Sequence, residues 1–161
     1  MAMSSFKMTL EPATLYHCQQ LALHMKEADV REVRLASGLS PLAALEASLN
    51  ISQKASALLL EDKVMALSGI ASSYEGTLKS KTLGIIWALT VPLSGWEKTF
   101  WKVSQQLTAD YQKMFPLLTN FCDVENTETI RYLKRLGFVF LRREEHFGVE
   151  EKPFYQFVRI R

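Results

Sequence analysis

The sequence predicts an α+β fold, a mixed sheet with helices on its faces, in the order β-α-α-β-β-β-α-β-α-β-β. Three observations predict it: short apolar runs with strand character at the start, middle and end of the chain, helical spacing of apolar residues between them, and proline, glycine or asparagine at the joints. Ser5 to Glu11 alternates Phe6, Met8 and Leu10 with polar neighbours, the period of a strand with one buried face. From Ala13, the positions Leu15, Cys18, Leu21, Ala22, Met25 and Ala28 recur at three and four and predict a first helix. Its end falls between Ala28 and Gly38, inside the charged stretch Lys26 to Arg34. Ser40-Pro41 is an N-cap followed by proline at the first helical position, where a missing N–H costs nothing, and Leu42, Leu45 and Leu49 line the second helix.

Lys54 to Glu61 and Lys63 to Ser73 predict an antiparallel hairpin turning at Asp62. Thr82 to Pro92 is apolar on both faces, as in a central strand, and Pro92 and Gly95 close it. From Trp96 to Pro116 the set Phe100, Val103, Leu107, Tyr111 and Met114 predicts the longest helix. Leu117 to Val124 is a strand, Asn126 to Leu136 a short helix stopped by Gly137, and Phe138 to His146 and Phe154 to Arg161 are two strands joined by a turn at 148–153.

Composition restricts the function classes. A chain of 161 residues, 48% apolar and 22% charged, is expected to form one folded domain spanning 1–161. Nineteen basic against seventeen acidic residues leave no sequence-wide field for nucleic acid or an anionic membrane, and Arg142-Arg143 is answered by Glu144-Glu145. Cys18 and Cys122 sit in apolar surroundings and are expected to be buried free thiols. The first residues hold no long apolar stretch, and no run of about 18 apolar residues occurs, so no membrane association is expected. His17 and His24 lie seven residues apart on one helix with no third ligand at suitable spacing, and no metal is expected.

The stretch Asp123 to Phe138, with its strand end, Asn126, helix and Gly137-Phe138, resembles the signature of the GNAT (Gcn5-related N-acetyltransferase) superfamily. Asn126 would cap the helix while Gly137-Phe138 turns the chain and buries an aromatic ring. The resemblance implies a GNAT-like fold, an acyl-coenzyme A donor and an amine acceptor. It also implies that the cofactor's pyrophosphate lies on main-chain N–H groups between the fourth strand and the long helix, in a Gln/Arg-x-x-Gly-x-Gly/Ala loop. The corresponding Val91 to Lys98 keeps Val-x-x-x-Gly, and Trp96 and Glu97 stand where the family admits phosphate. If a cofactor binds, Val91, Leu93, Gly95, Trp96 and Asn126 are the residues the resemblance assigns to it.

The family's acid, a tyrosine seven residues after the capping asparagine, is replaced by Leu133, and the adjacent Tyr132 is rotated by about 100° on the helix. No ionisable residue lies between Thr82 and Pro92 to serve as base. Asp123 and Tyr132 are the catalytic candidates, with Glu61, Asp62 and His146 behind them as turn or surface residues. The long Trp- and Phe-rich helix and the Asn126 to Phe140 pattern are also similar to GNAT-related proteins of tailed bacteriophages, some of them internal virion proteins. That narrower resemblance implies a protein acting through contacts with a phage or host protein in virion assembly or host takeover. It would lie in the host cytoplasm or the virion, with a degenerate site and no cofactor. The alternative it leaves is an active acetyl-CoA-dependent N-acetyltransferase.

Overall fold

In the computed structural model, residues 7–161 are described. They form a seven-stranded sheet in the order β1-β2-β3-β4-β5-β7-β6 with five helices. The elements are β1 (Met8–Pro12), α1 (Leu15–Ala22), α2 (Glu27–Ser37), α3 (Pro41–Ile51), β2 (Lys54–Leu60), β3 (Lys63–Glu75) and β4 (Leu78–Thr90). They continue with α4 (Glu97–Met114), β5 (Leu117–Asp123), α5 (Thr127–Arg135), β6 (Val139–Phe147) and β7 (Lys152–Ile160). The predicted mixed sheet is present: β4 and β5 pair in parallel and every other neighbouring pair is antiparallel. Ser5 and Phe6 of the predicted first strand lie outside the described residues.

One prediction is corrected. The first helix breaks at Leu23 to Lys26, giving three helices before β2 where two were expected. Lys26 takes an extended conformation (φ −64°, ψ 147°), and its N–H donates to the Thr90 carbonyl at 2.8 Å. A contact with the end of β4 thus replaces an intrahelical bond, and no local propensity announces it.

The caps follow the sequence. Ser40 Oγ accepts from Ala43 N–H at 3.2 Å with Pro41 behind it, Asn126 Oδ1 accepts from Thr129 N–H at 3.4 Å, and Gly137 ends α5 at φ 91°. Cys18 and Cys122 are buried free thiols.

The helices cover both faces of the sheet. Ser68 pairs across strands with Ala88, so their side chains share a face, and the Ser68 hydroxyl lies 3.0 Å from the Tyr111 hydroxyl of α4. Trp87, the next residue in β4, points to the opposite face and donates its indole N–H to Ser52 Oγ at the end of α3. The core runs through both layers, with Leu21, Leu45, Leu67, Ile70 and Leu118 fully buried. No helix among the described residues is long and apolar enough to cross a membrane.

Candidate active site

The β4–β5 ladder is short. It joins Leu83 to Leu117, Gly84 to Leu118 and Ile85 to Thr119, and then stops although both strands continue. The strands splay from Ile86 and Asn120 onward, with Asn120 Nδ2 donating to the Ile86 carbonyl at the fork. Alternation along β4 places the main-chain groups of Ala88 on the β5 side, beyond the last ladder pair.

The open ends of the two strands are joined by α2. Asp29 Oδ2 accepts from Thr90 N–H at the end of β4 (3.0 Å), and Glu32 Oε1 accepts from Asp123 N–H at the end of β5 (2.7 Å). Spacing of three residues puts both carboxylates on one side of the helix, each holding one strand. Between the strands lies a cavity of about 520 Å³. Val33 and Ala36 of α2 and Ala44 and Ile51 of α3 line one end of it, while Phe100, Ser104 and Tyr132 line the other, so it passes from one face of the sheet to the other.

Both carboxylates line this cavity. Burial pushes the Asp29 carboxyl up to about 6, held back by Lys26, whose Nζ is 3.8 Å away, and by the Thr90 amide. Burial likewise pushes Glu32 up to about 7. The Asp123 amide opposes that rise and the neighbouring Asp29 charge adds to it. Asn126 Nδ2 donates to Glu32 Oε2 at 3.3 Å. A carboxylate has about four lone-pair sites, so these two donors and the neighbouring Cys122 thiol still leave Glu32 able to accept from a ligand. Glu32 is half-buried and keeps surface open to the cavity. A half-buried carboxyl whose pKa desolvation raises, and which touches a cavity, is equipped to take a proton.

The residues predicted from sequence are distributed unevenly around this centre. Asp123 is 2% exposed, but its carboxylate faces Arg31 Nε at 3.1 Å and the Glu125 amide at 3.1 Å, away from the cavity. Its main chain, not its side chain, meets Glu32. Tyr132 lines the cavity, stacks on Phe100 and donates to Ser104 Oγ at 2.6 Å. Burial raises its phenol to about 12 despite that bond, so it holds its proton at neutral pH. Leu133, one residue on, is buried in the core.

Asn126 is committed to the α5 cap and to Glu32, and the Val91 amide to the Met65 carbonyl. Leu93 lines the cavity. The Trp96 ring does not: it is buried against Phe100 and donates its indole N–H to the Pro92 carbonyl at 2.8 Å. Gly95 has φ +90° with open space where a Cβ would stand, at the entry to α4. Its N–H is bonded to Glu97 Oε2 at 3.2 Å in an exposed contact.

Glu61 and Asp62 form the β2–β3 turn with positive φ, and His146 lies exposed on β6. His17 Nε2 is 2.8 Å from Glu11, and its Nδ1 accepts the Thr14 amide at 2.9 Å, which makes it a helix-start residue.

This splayed parallel pair flanked by helices on both faces has many counterparts among solved structures. The fold is that of the GNAT acetyltransferases. One similar structure is yncA of Salmonella typhimurium, with its cofactor acetyl-CoA: TM-score 0.69 at 12% identity, covering 95% of this chain and 93% of that one. A GNAT-family acetyltransferase of Bacillus anthracis gives 0.68 at 12% identity over 97% and 98% of the two chains. RimL, the ribosomal L7/L12 alpha-N-protein acetyltransferase in complex with coenzyme A, gives 0.68 at 11% identity over 95% and 93%. No protein-family model and no curated protein sequence matches the chain.

Parts of the chain leave room for a ligand held by main-chain groups, as the acetyl-CoA named for yncA would be. The β4–β5 cleft is open, Ala88 presents main-chain groups to it, and Gly95 leaves room at the helix start. The misfit is Glu97, which occupies the Gly95 N–H. A hydrogen bond to a carboxylate is worth about 1.5–3 kcal/mol, less where it is exposed as here, within reach of displacement by a dianion.

Asp29 and Glu32, the two groups with the chemistry of a base, were not legible as site residues because they lie in a charged helical stretch. The available signal was their three-residue spacing on the helix side that also carries Val33 and Ala36.

Proposed function

We propose that this chain is an N-acyltransferase that moves an acetyl group from acetyl-CoA to an amine. The observation that carries the reading is the cavity between the splayed β4 and β5, which brings the Glu32 carboxylate into contact with a space lined from both sheet faces. Acetyl-CoA would supply an activated thioester, with its chain along Ala88 and its phosphates near Gly95.

The protein's own part is proton management and exclusion of water. An ammonium entering the apolar cavity is driven toward its neutral form by desolvation, and Glu32 Oε2 accepts the proton released. Asn126 and the Asp123 amide keep the Glu32 carboxylate turned to the cavity. Phe100 and Tyr132 close the α4 end against solvent. The Tyr132 hydroxyl, which keeps its proton and is bonded to Ser104, would be the group on this wall able to supply a proton to a departing thiolate.

The test is calorimetric titration with acetyl-CoA, followed by a free-thiol assay over an amine panel. A dissociation constant of tens of micromolar or tighter, with amine-dependent thiol release, is expected, since about 6–7 kcal/mol of binding requires an organised site.

One observation favours a second reading. The Glu97 bond to Gly95 N–H, with Leu133 in place of the family's tyrosine, suits a phage protein that has kept the scaffold and works through protein contacts. Failure of acetyl-CoA to bind at millimolar concentration, to the native chain and to Glu97→Ala alike, would decide for it.

A further inference from the structure

The cavity combines apolar walls with a small polar centre. Leu58, Leu89, Val33, Ala47 and Ile51 contribute hydrocarbon, whereas Asp29, Glu32 and Thr90 contribute oxygen. Asp29 is 5% exposed, and among the described residues Lys26, at 3.8 Å, is the only cation within salt-bridge distance of either carboxylate. Glu32 has hydrogen-bond donors but no cation.

Thr90 adds an independent observation. It is 3% exposed, it lines the cavity, and its hydroxyl has no hydrogen-bond partner although its own amide holds Asp29. A buried hydroxyl without a partner costs about 1–3 kcal/mol; this one has no surface open to the cavity as it stands, and a turn of the Thr90 side chain about χ1 brings it to a ligand.

We propose that the cavity binds a primary amine carrying an apolar alkyl or arylalkyl body, with the ammonium held among Glu32, Asp29 and Thr90 and the body along the α2–α3 wall. This deepens the acyltransferase reading by naming its acceptor class. The chemistry follows from the parts. Asp29, Glu32 and Glu128 line the cavity against one lysine, Lys26, which pairs with Asp29, so negative charge exceeds positive and favours a cation whose N–H groups donate to Glu32 and Asp29. A hydrophilic polyamine or an amino acid would have to strip water from further charges against apolar walls, which disfavours both.

Binding is tested without acyl-CoA, so that failure of acyl transfer and failure of amine recognition remain separate results. The full chain is titrated calorimetrically with butylamine, hexylamine and 2-phenylethylamine, and with hexanol, hexanoate and spermidine as comparisons. The amines are expected to bind, with affinity rising about fourfold per added methylene, while hexanol, hexanoate and spermidine bind at least tenfold more weakly. Glu32→Gln is expected to weaken hexylamine at least tenfold. Thr90→Val, which leaves both carboxylates and their main-chain bonds in place, is expected to weaken it severalfold without lowering the melting temperature.

Three outcomes would overturn the proposal. They are equal binding of hexanol or hexanoate, which makes the cavity a site for a neutral or acyl chain; no binding of any amine to the native chain; and unchanged amine affinity in Thr90→Val together with Glu32→Gln.

Discussion

Glu32 is the residue on which the proposed chemistry turns. It belongs to α2 but its hydrogen bonds go to the end of β5 and to Asn126, so its position is set by three elements at once. Glu32→Gln keeps the shape and loses the base, and kcat is expected to fall about 100-fold or more, the usual contribution of a general base, with KM for acetyl-CoA little changed. Steady-state kinetics checks this, and an unchanged kcat would remove Glu32 from the mechanism. Glu97 acts in the other direction. Removing its carboxylate in Glu97→Ala frees the Gly95 N–H and takes a negative charge from the first turn of α4. Acetyl-CoA is then expected to bind several-fold to tenfold tighter by calorimetry, most clearly at low salt.

At the scale of elements, α2 is the strut that holds the cleft open, and the β6–β7 turn holds α2. Val149 N–H donates to the Ala36 carbonyl at 3.2 Å, and a Cβ on Gly148 would stand 2.6 Å from Ala36 Cα and the Leu35 carbonyl oxygen. With φ at +73° as well, Gly148→Ala must displace backbone against backbone. A loss of about 2–4 kcal/mol is expected in denaturant unfolding. The α5 cap has a double role, since Asn126 serves both Thr129 and Glu32. Asn126→Ala is expected to cost about 1–2 kcal/mol in the same measurement and to lower kcat as well, an effect a simple cap would not have.

For the whole molecule, the two cavity carboxylates tie stability to pH. Both are raised in the folded state, Asp29 to about 6 and Glu32 to about 7, so the folded chain holds protons that the unfolded chain has released. Below the unfolded values, near 4, both states are protonated and the pair costs nothing. Between about pH 4 and the folded values of about 6 and 7 the unfolded chain has released protons that the folded chain still holds, so stability falls across that window, by at most about 3 kcal/mol for each group, and levels off above it. The melting temperature is therefore expected to drop between about pH 4 and pH 7 and to level off by pH 8. The slope should flatten in the double variant Asp29→Asn, Glu32→Gln, and an amine bound in the cavity should restore part of the loss at pH 8. A melting temperature that climbs across this range in the native chain but not in the variant would contradict the assignment.

What the sequence by itself determined is local. Ser40-Pro41, Asn126 and Gly137 mark helix ends because a side-chain oxygen, a missing N–H or a left-handed residue acts within a few positions of itself, and the apolar periods of α4 and β4 are visible along the chain for the same reason. The tertiary structure decided the break at Lys26, the early end of the β4–β5 ladder, and the site. Each depends on partners far apart in sequence: Asp29 reaches Thr90 across 61 positions and Glu32 reaches Asp123 across 91. A carboxylate on a helix in a charged stretch looks like any solvated one until folding removes its water and gives it a strand end to hold. That desolvation, a property of the assembled molecule, turns Asp29 and Glu32 from surface charges into a candidate active site.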